Sequence, residues 1–164
     1  LVPFYGRGAG GTAVYVEFPG SPMMAHMSVF PPKSYKKGHR HGAGFVIVIP
    51  VGEGYSVMWP NNEAEKVVIP WHEASCFVPP ARWYHQHFNV SEAADRYLAI
   101  HPPRGLAYGG ERVLDPASDQ IEYPDEDPWI RQKFDSELAK KGLKSVMPEA
   151  AYQDKNFEWE YSSS

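Results

Sequence analysis

Glycine and proline cut this chain into short apolar runs, and that punctuation restricts it to a fold built of small strands. Among 164 residues there are 14 Gly and 16 Pro. Between the breaks lie segments rich in β-branched and aromatic residues, at 12–18, 25–30, 44–50, 55–59, 66–69, 74–78, 83–90 and 96–101. Such side chains suit a pleated, half-buried surface. Short runs at this spacing predict an all-β architecture, an antiparallel sandwich or barrel. Residues 44–50 are continuously apolar, as in a strand covered on both faces.

The character changes after residue 102. Residues 102–126 are rich in Pro, Gly and acidic side chains and predict an extended arm. A helix over 127–142 then follows. Asp127 suits the N-cap, and Pro128 suits the first turn, where its missing N–H costs nothing. Ile130, Phe134 and Leu138 form one apolar stripe, and Gly142 suits the position after the helix end. The aromatic, acidic tail over 143–164 reads as a segment that docks on a neighbour or stays disordered. The expected division is therefore 1–24 as an N-terminal arm with the first strand, 25–101 as the barrel core, 102–126 as the arm, 127–142 as the helix and 143–164 as the tail. Gly6 to Gly11 lacks the Lys-Ser/Thr ending of a phosphate loop and reads as flexible.

Charge and hydropathy exclude several roles. The net charge is −4 with no long basic run, so the cationic stripe that nucleic acid needs is missing. No apolar stretch reaches the ~20 residues that span a bilayer, and no signal peptide is visible. A cytoplasmic protein is the expectation. The first residue is not Met, which is compatible with upstream sequence that was lost or left out. Cys76, the single cysteine, sits in an apolar run and is expected to be a buried thiol.

Histidines carry the chemistry. His39 and His41 form an H-x-H pair, and His85 lies in a second cluster with His87. Alternate residues of a strand share a face, so the pair aims two imidazoles into one space that His85 on a facing strand can close. Imidazole is the commonest metal-ligating side chain near neutral pH. His87, two residues after His85, is expected on the same face, as a fourth ligand, a pocket acid/base or a structural histidine. His26 and His101 are candidates for the interior, the latter chiefly structural, and His72 for the surface. Arg96, if inward, could clamp a substrate carboxylate. Trp83 and Tyr84 could form a pocket wall, with Tyr84 moving protons.

These two clusters resemble the paired motifs of the cupin superfamily. The first cupin motif, G-x5-H-x-H-x3,4-E-x6-G, corresponds to His39-x-His41, then Phe45, then Gly52. The second, P-x-G-x2-H-x3-N, corresponds to Pro80, Arg82, His85 and Asn89, with Arg82 in place of the glycine. The resemblance covers about residues 25–101 and implies a small antiparallel barrel of jelly-roll type, with His39, His41 and His85 holding a divalent metal. The usual glutamate is replaced by Phe45. Three neutral imidazoles leave a dication its full charge and open positions for chelating anions. This pattern is similar to the gentisate-, salicylate- and diketone-cleaving dioxygenases, which implies Fe(II) and O2, although Mn, Ni, Zn or Cu suit the same donors. The resemblance leaves two alternatives, a non-oxidative decarboxylase, lyase or isomerase, and a cupin that binds a small molecule without turnover. It also implies a homodimer or higher homo-oligomer, and, because some relatives carry two cupin units, it leaves open that this chain is one half of such a protein.

Overall fold

A computed structural model describes residues 1–42, 44–60, 65–102 and 116–161. Eleven strands and two α-helices are assigned among them. The strands are β1 (Val2–Pro3), β2 (Thr12–Glu17), β3 (Met24–Phe30), β4 (Gly38–His39), β5 (Val46–Val51), β6 (Glu53–Trp59), β7 (Val67–His72), β8 (Cys76–Phe77), β9 (Tyr84–Asn89), β10 (Asp95–His101) and β11 (Gln120–Ile121). The helices are α1 (Pro116–Asp119) and α2 (Pro128–Lys140). A six-stranded sheet runs β1-β2-β3-β10-β5-β8, and a five-stranded sheet runs β11-β4-β9-β6-β7. Every pairing is antiparallel. The two sheets make the all-β jelly roll expected of the repeated short strands.

Alternation along the strands divides the side chains between two cores. Phe30, Phe45, Ile47, Ile49, Trp71, Tyr97 and Ala99 form one cluster of buried residues. On the outside of the five-stranded sheet, Tyr55 and Phe88 stack with ring centroids 4.5 Å apart, and Phe88 stacks on Tyr35 at 4.8 Å. Helix α2 covers them with Ile130, Phe134 and Leu138, all buried in the second cluster. The predicted N-cap holds, since the Asp127 side chain accepts from Trp129 N. Gly142 takes φ +71° after the helix end. The helix thus braces β9, the strand carrying His85 and His87, from behind.

Several expectations need correction. Residues 103–115 of the expected arm lie outside the described residues, while 116–126 are ordered secondary structure. There β11 pairs with β4, and a 3-10 turn over Tyr123–Asp125 follows. The tail folds back on its own chain. Trp159 meets the Tyr123 ring at 5.7 Å, and Tyr161 meets Tyr5 at 5.2 Å. The glycine-rich N-terminal stretch is also held, for the Arg7 carbonyl accepts from Lys37 N and the Arg7 guanidinium donates to Gln120. Cys76 is exposed rather than buried, because β8 is the edge strand and Cys76, paired with Val48, shares its outward parity. Only alternate residues of β5 are buried, Ile47 and Ile49 against the half-exposed Val46 and Val48.

Two carboxyls, Asp95 buried and Glu126 half-buried, give the fold a pH dependence. Asp95 is fully buried, and its Oδ2 has no hydrogen-bond partner. Glu126 accepts from Tyr35 Oη and from Gln86 Nε2. Burial is the main force raising each to about 7, from ordinary values of 3.8 and 4.5. Between those limits the folded chain keeps protons that the unfolded chain has lost. Stability is therefore full below the ordinary values and declines as the pH rises through about 7. The melting temperature should fall from about pH 5 to about pH 8, and the D95N/E126Q double variant should flatten that slope. An unchanged slope in the variant would refute the assignment.

Candidate metal centre

The centre is assembled from β4, the segment after it and β9. His39 on β4 pairs directly with His85 on β9. His41 lies two residues beyond, past the end of β4, and still turns inward. His39, His41 and His85 are 6%, 7% and 2% exposed, and each brings a ring nitrogen within 4.8 Å of the other two. His85 is central, with ring centroids 4.4 Å from His39 and 4.6 Å from His41.

Backbone carbonyls orient all three rings. His39 Nδ1–H donates to Lys37 O at 3.1 Å, His41 Nδ1–H to Gly42 O at 3.0 Å, and His85 Nδ1–H to Trp83 O at 3.1 Å. Each proton is thereby placed on Nδ1 and each Nε2 lone pair is left for a ligand, the outer-shell arrangement metal-binding histidines need. Burial holds His41 down to about 4 and keeps His39 and His85 well below the ordinary histidine range. They are neutral donors, so the donor set fits a divalent transition metal.

Phe45, at the position of the motif glutamate, fills the space beside them. It packs on His41 at 3.9 Å and stacks on His101 at 4.5 Å. His101 donates from Nδ1 to Pro102 O at 2.7 Å and accepts, at Nε2, from His26 Nδ1 at 3.0 Å. His26 and His101 are thus both buried and tied to one another. His72 is exposed. Arg82, at the motif glycine, sits at φ +64°, the left-handed region that glycine enters without steric cost. Its N–H donates to His41 O at 2.8 Å, linking the two motifs.

His87 faces the same interior and is 3% exposed. It lies outside the ligand cluster, its ring 5.7 Å from that of His85. Its Nδ1 is 2.8 Å from Ser56 Oγ, which also accepts from Trp71 Nε1 at 3.0 Å. Burial first, then the Lys36 charge, lowers His87 to about 3.

Two expected site residues are placed elsewhere. Tyr84 precedes His85 on the same strand and therefore points to the opposite face. There it stacks on Trp59 at 5.6 Å and donates to Ser118 O at 2.9 Å. Arg96 is exposed, because its neighbour Tyr97 takes the inward position. Asn89 closes the turn after β9, donating to Ala93 O and accepting from Ser91 N.

Three inward groups escaped the sequence reading. Lys36 is completely buried and donates to Ser28 Oγ and, at 3.2 Å, to Tyr97 Oη. The Tyr97 ring lies 5.1 Å from that of His87, so these groups continue the polar row that begins at the metal ligands.

Among solved structures with a similar fold is oxalate decarboxylase from Bacillus subtilis, with a TM-score of 0.53 and 11% identity over 62% of this chain and 28% of that one. Peruvianin-I, a cysteine peptidase from Thevetia peruviana latex, matches with a TM-score of 0.52 and 17% identity over 61% of this chain and 66% of that one. Oxalate decarboxylase from Lactobacillus farciminis matches with a TM-score of 0.50 and 15% identity over 58% and 29%. The fold is that of the cupins. Within this fold, the histidines of both motifs meet at one buried point. The match spans less than a third of the length of either decarboxylase. No family model and no curated protein matches the sequence. Among the described residues, no helix is long and apolar enough to cross a membrane.

Proposed function

We propose that this cupin is a metal-dependent enzyme, a non-heme Fe(II) dioxygenase that cleaves a C–C bond in a small, chelating, oxygen-rich anion of the phenolic acid or diketone type. One observation carries the reading. Three buried, neutral, carbonyl-oriented imidazoles converge where the motif carboxylate is replaced by Phe45. Bound there, a divalent iron would supply Lewis-acid activation of substrate oxygens and electrons for O2.

The remaining chemistry belongs to the chain. His39, His41 and His85 would hold one face of the ion and leave its other positions to a ligand. Phe45 adds no protein charge there, which favours an anionic ligand. Trp71 donates to Ser56, so the Ser56 proton is available to His87 Nδ1. His87 then carries its own proton on Nε2, as a hydrogen-bond donor to a substrate oxygen. Phe45, packed on His41, shares a buried cluster with Phe30, Ile47 and Ile49, an apolar side that would exclude water.

A second reading has its own support. The B. subtilis oxalate decarboxylase is described with Mn(II) centres, and non-oxidative cleavage with a Lewis-acidic metal would use the same ligands. Anaerobic reconstitution with Fe(II), followed by an oxygen-electrode screen over phenolic acids and diketones, separates the two. Substrate-dependent O2 uptake is the expected result. Consumption of substrate at an equal rate without O2 would overturn the dioxygenase reading in favour of the second.

A further inference from the structure

Lys36 is a buried amine with no anionic partner among the described residues. Its side chain is completely buried, and no carboxylate lies within ion-pair distance of it among the described residues. An ammonium has three donors. Ser28 Oγ and Tyr97 Oη take two, and among the described residues no acceptor takes the third. The rings of Phe4, Phe30 and Tyr97 surround the Nζ at 4.7, 5.3 and 4.5 Å. Aromatic faces favour a cation, yet they cannot repay the several kcal/mol that burying an unpaired charge costs. An anion beside it would offset the cost of carrying that charge. Burial and the nearby Arg7 charge hold Lys36 well below its ordinary range in the free protein, in keeping with an incomplete ion pair.

We propose that Lys36, with Tyr97 and Ser28, is a second anion-binding subsite, taking a carboxylate of a substrate whose other oxygens reach the three-histidine centre. This rests on the metal reading above and narrows it to substrates with two separated acidic or oxygen-donor ends. Lys36 is connected to the centre through His87. Its backbone N–H donates to His87 O at 3.1 Å, and Tyr97 touches both residues.

The probes are malonate, succinate and glutarate, each compared with its monomethyl ester by calorimetry, with and without Mn(II). The native protein should prefer the best-fitting dianion to its monoester by about tenfold, as a charge-assisted pair warrants. K36M, close in volume, should lose that preference while binding Mn(II) unchanged. Y97F, which deletes one hydroxyl, should weaken the preference and carries the test should K36M fail to fold. Absence of a preference in the native protein, or its survival in both variants, overturns the proposal. Failure of Mn(II) to bind strikes the metal reading instead, and the metal-free arm then judges Lys36 alone.

Discussion

Alanine in place of His85 should abolish metal binding, with the purified variant carrying less than about a hundredth of the native metal affinity. Losing an outer-shell partner of a ligand already costs 10- to about 100-fold, and this change removes a ligand itself. His85 is the ring that approaches both others, at 4.4 and 4.6 Å, while His39 and His41 are 5.7 Å apart. Without it, two imidazoles remain and the enclosed face is lost. His39→Ala should behave in the same way, whereas His87→Ala should keep its metal, because His87 is anchored to Ser56 outside the cluster. Titration of Zn(II) or Mn(II) into each variant measures this. Equal losses in the His85 and His87 variants would place the centre elsewhere.

The second large effect concerns Phe45. Phe45→Glu should restore the carboxylate of the motif, tighten a divalent metal by at least about tenfold, or 1.4 kcal/mol, and weaken chelating anions in parallel. The carboxylate cancels one unit of the dication's charge, which strengthens metal attraction and reduces what remains for an anionic ligand. Without metal the same glutamate is a buried acid where a ring stacked on His101 used to be, so the apo variant should melt below the native protein. Added metal should then raise its melting temperature more than it does for the native chain, since a ligand stabilises in proportion to the logarithm of its excess over Kd. A metal affinity unchanged by the glutamate would show that position 45 does not face the centre.

The legibility of the fold in the sequence followed the range of the interactions involved. Strands such as Met24–Phe30 and Asp95–His101 were readable because side-chain alternation is local, and α2 because Asp127, Pro128 and a four-residue apolar spacing are local too. Pairing of Gln120 with His39 was not readable, because two-residue strands have no period and their partners lie far apart in sequence. Edge position misled the expectation for Cys76, whose apolar neighbours resemble those of a central strand.

Within the site, the two histidine motifs were legible and the polar row behind them was not. Strand parity alone could have excluded Tyr84, which adjoins His85. Arg96 and Tyr97 could not be distinguished in advance, because a register shift interrupts the pairing of β10 with β5 there. Lys36 belongs to a Lys-Lys doublet, which reads as solvated charge. Only tertiary packing against Phe4, Phe30 and Tyr97 shows that Lys36 is completely buried, with Lys37 buried beside it.

Anomalous diffraction from crystals grown anaerobically with Fe(II), recorded on both sides of the iron edge, tests the three-histidine centre most directly. One peak is expected, about 2.0–2.3 Å from the Nε2 atoms of His39, His41 and His85, with His87 unbound. An empty site at full iron loading, or a peak held by other residues, would contradict the assignment.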